Sequence, residues 1–385
     1  MAPIDPPPSR GERGSALLRR ADFLAGVPLA QAACLWRRLV RPPRPGAFGS
    51  IGVLCPGAIG DVILLTGLLD GLRAKNPEAS IELVLSSGNA ACAGLLAPGL
   101  KAVAFPVSRP HKILAHARAA RYDLFIDACQ WARVGSWIQA LSGAGLTVGF
   151  VTRGQWRGRA DLPVPHDPGL HEWENFLNLG RAVWPDLFAR PRLAIGRSAE
   201  REKIVYCHMF PAPGPGRGMK LWPKERWARL IAALLDQGLA VRLTGSGADA
   251  AEAEAFLRRS FPSNPGIQSL AGKRSLCDLA GDLARGAGLV SVNTGVMHLG
   301  AAVGLPTVGL CGPTNPARWG ALGPFAANLL TPAEPRAYLD LGFEYPRCAR
   351  NNMGALAAEP VLERLLALIA DEERTQKKAP AEAPI

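Results

Sequence analysis

The chain lacks a CxxC pair, an HExxH helix face, a short internal repeat and any apolar run approaching a membrane span. A helix needs roughly 20 consecutive apolar residues to cross a bilayer. The opening stretch MAPIDPPPSRGERG is not a basic-then-apolar signal sequence, so the expectation is a cytoplasmic protein. Its eight cysteines, scattered through mostly apolar runs, read as buried thiols in a reducing compartment rather than as a disulfide framework or a zinc site. His111 with His116, and His166 with His171, are spaced by five, which misses the i, i+4 face of a helical metal pair; no metal site is expected. Acidic residues are the scarce sign: 32 Asp and Glu stand against 44 Lys and Arg, a net charge of +12. That excess favours phosphates, acidic lipids or nucleic acid as partners. The absence of RNP-like, zinc-finger or helix-turn-helix patterns, with the positive charge mostly in termini and loops, argues against nucleic acid.

What the chain has is enough apolar material for two cores. It holds 385 residues, 48% of them hydrophobic, more than one core usually organises. Residues 1–48 comprise a Pro/Arg-rich start and a basic amphipathic arm in which Leu17, Phe23, Leu35 and Trp36 alternate with arginines. Such an arm either meets an acidic membrane surface through residues 15–41 or packs on the body. Over 49–195, short apolar runs such as IGVLC, IELVL and DLFIDA alternate with helical stretches, the signature of a parallel sheet covered on both faces. The rhythm fades over 151–200, read as a crossover with one helix in HEWENFLNLGRAVW. It resumes over 196–375 with IVYCHM, AVRLTG, LVSV and PTVGLCG and closes in a helix over Pro360 to Glu373; 376–385 reads as an unordered tail. The fold class is therefore α/β, with two facing doubly wound Rossmann-like domains and a cleft at the carboxyl ends of their strands.

Four motifs carry chemistry. In CPGAIGDVILLTG, Gly57 and Gly60 turn the backbone after a strand and Asp61 opens a helix; its carboxylate is either a cap or a general base. The spacing matches neither GxGxxG nor GxxxxGK[ST], which disfavours a Rossmann oxidoreductase or P-loop NTPase. In GRGMKLWPKERWARL, Arg217 and Lys220 precede a helix opened by Pro223, where they neutralise a phosphate or form a solvated basic loop. In LTGSGADAAEAEAF the acids complement a helix dipole, and Asp249, nearest the turn, is placed to accept from a ribose. In VSVNTGVMHLGAAVGLPTVGLCGPTNP, Asn293 and Thr294 cap a helix whose first turn at Gly295 presents free N–H groups to an anion, with His298 in the same turn.

In this order the four motifs resemble the lipopolysaccharide heptosyltransferases of glycosyltransferase family nine: Gly60-Asp61-Val62, then K-x-W-P-x-x-x-W from Lys220 to Trp227, the glycine turn before Asp249, then NTGxxH from Asn293 to His298 and GxPxxxLxGPTxP to Pro316. The resemblance covers about residues 50–370. It implies the GT-B architecture, with an acceptor-side domain first and a nucleotide-sugar-binding domain second. It implies inverting transfer of a heptose or related sugar from a nucleoside-diphosphate sugar, ADP-linked in the family, to a glycolipid or oligosaccharide acceptor, with no cofactor. Asp61 would be the base, with Gly57 and Gly60 in the acceptor loop. Lys220, Arg217, Thr294, Gly295 and His298 would hold the diphosphate, and Asp249 and Asn293 the nucleoside or sugar. The family pattern usually carries Asp where this chain has Asn293, which points to a donor differing from ADP-heptose in its sugar. The alternatives are a nucleotide-sugar 2-epimerase and an inactive sugar-nucleotide or membrane binder.

Overall fold

The computed structural model describes residues 16–40, 43–212, 216–342 and 344–378. It divides into two units, Met1–Ala194 with Asp340–Tyr345, and Ile195–Leu339 with Pro346–Ile385.

The first unit holds a six-stranded parallel sheet of β1 (Ser50–Cys55), β2 (Ser80–Ser86), β3 (Lys101–Phe105), β4 (Leu124–Asp127), β5 (Leu146–Val151) and β6 (Leu162–Pro165), in the order β3-β2-β1-β4-β5-β6. Central strands such as β4 are buried at every residue, as expected of strands covered on both faces. The last strand corrects the sequence reading, which took 151–200 as crossover. Pro163 and Pro165 hid it, yet proline is tolerated on an edge strand, where β6 lies beside β5 alone. The connection after β2 carries a 3-10 turn, Ala90–Leu95, rather than an α-helix.

The second unit repeats the plan with β7 (Ile204–His208), β8 (Ala240–Thr244), β9 (Ile267–Ser269), β10 (Gly288–Val292), β11 (Thr307–Cys311) and β12 (Ala326–Leu330), ordered β12-β11-β10-β7-β8-β9. Its core gathers Val205, Leu243, Val290 and Val308 from the sheet with Trp222 and Trp227, whose rings meet edge to face at 4.9 Å. The closing helix runs Glu359–Lys378, past the expected Glu373 and into the segment read as an unordered tail; 379–385 lie outside the described residues.

In each sheet the chain leaves its first strand for one neighbour and later returns to the other side of it, so β1 and β4, like β7 and β10, flank a topological switch point. Ligands bind at the carboxyl ends of the strands at such points because the connections part there and leave a crevice.

The arm forms two helices, α1 (Ala16–Leu24) and α2 (Gly26–Val40). It packs on the body: Ala33 and Cys34 meet Ala140 of α5 (Arg133–Leu141). Gly158 is required where the loop after β5 crosses α2, since a Cβ there would sit 2.3 Å from Cys34 Sγ and 2.7 Å from the Ala30 carbonyl oxygen. Asp22 accepts from the backbone N–H groups of Arg133 and Val134 at 3.0 Å, supplying from α1 the cap that Ala132 cannot give α5. Arg37, buried, donates through Nε and Nη2 to Asp161 and through Nη2 to the Ala144 carbonyl oxygen at 2.9 Å. Burial alone would push the Asp161 carboxyl up, but the hydrogen bond and charge of Arg37 outweigh it and hold the group below its ordinary value.

Six of the eight cysteines are buried and none is in a disulfide; Cys277 is half-buried and Cys348 exposed, against the expectation for those two. Three of the four paired histidines meet neighbouring groups: His116 Nε2 lies 2.7 Å from Glu82, His166 Nε2 lies 3.1 Å from Glu172, and the His171 side chain accepts from the N–H of Trp173 at the start of α6 (Glu172–Arg181), while His111 is exposed.

Arg37→Ala leaves Asp161 partly buried without its cation, and breaking such a pair from one side costs about 3 kcal/mol. The expected outcome is a lower urea midpoint with an unchanged slope; an unaltered midpoint would show that the arm is not fastened through this pair.

Candidate active site

At the first switch point, α3 (Ile59–Lys75) starts directly after the β1 turn, and Asp61 is its third residue. Its Oδ2 accepts from the Ala58 N–H at 2.8 Å, so the capping reading holds, but Oδ1 accepts from Gln130 Nε2 at 2.7 Å. Gln130 follows β4, on the other side of the switch point, and is buried with Asp61, which is 2% exposed. Gly57 has to be glycine, because a Cβ would lie 2.9 Å from Asp61 Cγ. Its carbonyl oxygen accepts from Asn89 Nδ2 at 2.9 Å, and Asn89 also donates to the Cys55 carbonyl oxygen at 3.0 Å. Gly60 is buried within α3. Two side chains distant in sequence thus hold the Asp61 turn. Neither Gln130 nor Asn89 is marked by a motif; only the position after strands flanking β1 could have singled them out.

Beneath Gln130, Asp127 and Arg157 form a fully buried pair. Thr152 Oγ1 donates to the Gln130 carbonyl oxygen, and Arg157 Nη1 to that of Ala132. Burial raises the Asp127 carboxyl above its ordinary value in spite of the Arg157 charge. Gly135 makes room for this carboxylate, since its Cβ would fall 2.3 Å from Asp127 Oδ1.

In the second unit, Arg217 and Lys220 share a single 3-10 turn, Arg217–Lys220, before α7 (Lys224–Asp236). Trp222 Nε1 donates to the Leu356 carbonyl oxygen at 3.0 Å, so the buried indole fixes the chain next to Lys220. Lys220 and Asn293, from separate motifs, both act on one group: burial pushes the Cys311 thiol at the end of β11 up to about 12, and the Lys220 charge and an Asn293 hydrogen bond pull against it.

Thr294 is the N-cap residue of α10 (Gly295–Val303), with an extended backbone, φ −149 and ψ 176, and no side-chain cap bond; its Oγ1 lies 3.4 Å from Ser291 Oγ. The first-turn N–H groups of α10 therefore take no bond from the Thr294 side chain. His298 lies one turn on, buried. Asn293 does not cap. Its Nδ2 donates to the Trp319 carbonyl oxygen at 2.7 Å, a bond a carboxylate cannot make. This gives the departure from the family pattern a local cause, so the departure by itself no longer points to a different donor sugar.

Arg217 and Asp249 meet, but as partners: Arg217 Nη2 donates to Asp249 Oδ1 at 2.9 Å, while Asp249 Oδ2 accepts from Ser246 N–H at 2.9 Å and Ser246 Oγ at 2.6 Å. Burial pushes the Asp249 carboxyl up, but the Ser246 and Arg217 hydrogen bonds bring it below its ordinary value. The carboxylate caps the turn leading into α8 (Ala250–Ser260). Among the described residues, no group of three or more His, Cys, Asp or Glu is arranged to hold a metal, and no helix is long and apolar enough to cross a membrane.

His208, at the end of β7, was not singled out by any motif. It lies buried at the switch point, Nδ1 2.9 Å from Thr244 Oγ1. Burial pulls its pKa down to about 4, with the Asp249 charge opposing. Unfolded, it titrates near 6.5, so the unfolded chain takes the proton first. Stability from the neutral ring is complete above pH 6.5 and is lost as pH falls towards 4, by about 3 kcal/mol at most. His208→Asn is expected to flatten the decline of the urea midpoint across that window; an equal decline in both proteins would assign it to other groups.

Comparison with known proteins finds relatives in sequence and in fold. Residues 188–339 match the model of glycosyltransferase family 9 (heptosyltransferase). The chain is 36% identical over 120 residues to lipooligosaccharide heptosyltransferase 2 of Haemophilus influenzae, a match covering 30% of this chain and 33% of the relative. It is 24% identical over 306 residues to lipopolysaccharide heptosyltransferase 2 of Escherichia coli, covering 69% of this chain and 83% of the relative. The chain thus spans about a third of the length of the H. influenzae relative. The solved structure of E. coli ADP-heptose lipopolysaccharide heptosyltransferase II superposes with a TM-score of 0.67 at 23% identity, covering 84% of this chain and 99% of that one, a likeness of fold. The second unit is thus similar in sequence to glycosyltransferase family 9 over residues 188–339, and the chain shares the GT-B fold of a solved heptosyltransferase.

Proposed function

We propose that the chain is an inverting glycosyltransferase that moves heptose or a related sugar from a nucleoside-diphosphate sugar to a lipopolysaccharide or other cell-surface glycan. An ADP-linked donor is the first to try, by analogy with the E. coli ADP-heptose heptosyltransferase whose fold it shares. The observation that carries this reading is the complementary chemistry of the two switch points. One holds an oriented carboxylate, Asp61; the other has the start of α10 after β10 and the Lys220 turn, whose charge is felt at Cys311 at the end of β11.

A hydroxyl attacking an anomeric carbon must shed a proton, and Asp61 accepts it as general base. The cap and the base are one role: the Ala58 N–H and Gln130 bonds fix the direction in which the carboxylate takes the proton. The sugar passes through an oxocarbenium-like state with inversion. The C–O bond to the diphosphate breaks, and the charge left there is met by Lys220 and the α10 N–H groups at Thr294 and Gly295, with His298 in the same turn. Arg217 joins them after exchanging its Asp249 partner for a phosphate oxygen, and this releases an Asp249 oxygen for a ribose hydroxyl. The reaction needs no metal in this scheme, since protein cations and helix dipole supply the leaving-group stabilisation. A glycolipid acceptor puts the enzyme in the cytoplasm, at the inner face of the membrane.

The test is acceptor-dependent release of nucleoside diphosphate across a panel of nucleotide sugars, with chelator present. Turnover that needs no acceptor would replace transfer by epimerisation or hydrolysis. Asp61→Asn keeps the shape and is expected to lower kcat by about 10²-fold or more with donor affinity unchanged; retention of more than about a tenth of kcat would leave Asp61 as a cap only. Lys220→Ala is expected to raise donor KM and lower kcat together, and an unchanged donor KM would remove it from the diphosphate.

A further inference from the structure

The helix α2 carries two apolar stripes, and among the described residues only one of them is buried. Gly26, Ala30, Ala33, Cys34 and Arg37 form the buried stripe, at i, i+4, i+7, i+8 and i+11. These are mostly small residues, which let α2 approach α5 and Gly158 closely. The large side chains lie on the opposite side: Leu35, Trp36 and Leu39 are 59%, 60% and 72% exposed, and Leu29 and Val40 continue the stripe. From α1, Leu17 and Leu24 are exposed as well. A helix stabilised only by packing on its protein would present its large residues to that protein and its small or polar ones to water. Here the sides are reversed.

The neighbouring loop adds to the same surface. Gln31 of α2 donates to the Trp156 carbonyl oxygen at 3.3 Å, and the Trp156 side chain is exposed between exposed Arg153 and Arg159. Arg20 and Arg38 are exposed on the arm itself, whereas its single acid, Asp22, is turned to the α5 backbone. The outward face therefore combines leucines, two tryptophans and arginines with no carboxylate of the arm among them. Tryptophan and arginine at the edge of an apolar helix face match the interfacial zone of a bilayer, where the indole sits at headgroup level and the guanidinium meets lipid phosphate.

We infer that the outward face of α1 and α2, with Trp156, is a preformed docking surface for an anionic bilayer, which holds the first unit on the membrane by partial insertion of Leu35, Trp36 and Leu39. The choice of a bilayer over a protein partner rests on the glycolipid acceptor of the proposed function, but the binding needs neither donor nor acceptor. The surface is fixed before it meets lipid, through Arg37–Asp161 and Asp22 on α5, so little conformational entropy is lost on docking.

The experiment uses the full chain with phosphatidylcholine vesicles, with and without phosphatidylglycerol, since removing the arm would uncover α5. Co-sedimentation at low salt is expected to rise with phosphatidylglycerol and to fall at least tenfold in L35S/W36S, two outward substitutions that leave the thermal midpoint in place. Transfer to a soluble, delipidated acceptor is measured in parallel and is expected to be equal in the two proteins, so loss of transfer in both would strike the enzymatic reading and not this one. Equal pelleting of wild type and variant, or none by wild type, overturns the docking surface. A wild-type dimer in light scattering that becomes a monomer in L35S/W36S, without vesicle binding, would overturn it in favour of a second copy of the chain.

Discussion

A parallel strand delivers the chain to the carboxyl edge of the sheet, where the next helix must begin with its first N–H groups unpaired. This chain meets that constraint twice with one device. A glycine is followed four residues later by an aspartate that reaches back to the intervening backbone: Gly57 to Asp61 with the Ala58 N–H at 2.8 Å, and Gly245 to Asp249 with the Ser246 N–H at 2.9 Å. In both, a glycine Cβ would press on the carboxylate side chain, at 2.9 Å from Asp61 Cγ and 3.0 Å from Asp249 Cβ. The difference lies in the second partner. Asp61 meets a neutral amide, Gln130, whereas Asp249 meets a cation, Arg217. The same turn thus sets its carboxylate against an amide in one unit and against a guanidinium in the other.

Position in the sheet reinforces the distinction. Asp61 follows β1 and Gln130 follows β4, the two strands of the first switch point, so the hydrogen bond between them spans the crevice opened by the topology. Asp249 follows β8, one strand away from the second switch point, which is occupied by the segments after β7 and β10. That is where His208 and α10 lie, and where the Trp222 anchor holds the Lys220 turn.

Period and turn chemistry made the sheets readable from sequence, because buried parallel strands are short apolar runs and helix starts carry glycine and acid. Ten of the twelve strands announce themselves in this way. The edges do not: β6 carries two prolines, and β12, AANLL, is half-buried with no distinguishing composition. Local structure was legible where the motif residue acts on its own backbone, as with Asp61 and Asp249. It was not legible where the partner comes from elsewhere. Gln130, Asn89 and the Trp319 carbonyl oxygen lie 69, 32 and 26 residues from the atoms they bind, and no short pattern records such distances. Asn293 shows the consequence: read alone, it is an altered sugar contact; read with Trp319, it is an amide donor meeting a carbonyl.

The arm belongs to the same polar framework as the carboxylate. Gly158 and Trp156 lie against α2. Arg157, between them, pairs with Asp127 at the end of β4 and donates to the Ala132 carbonyl oxygen. Gln130 sits between those two positions, with its own carbonyl held by Thr152 from the start of the same loop. From α2 to Asp61 each step is therefore a buried contact or hydrogen bond. A helix whose outer face is greasy and basic thus takes part, through its inner face, in fixing the direction of the candidate base, and the small residues on that inner face are what let it come close enough to do so.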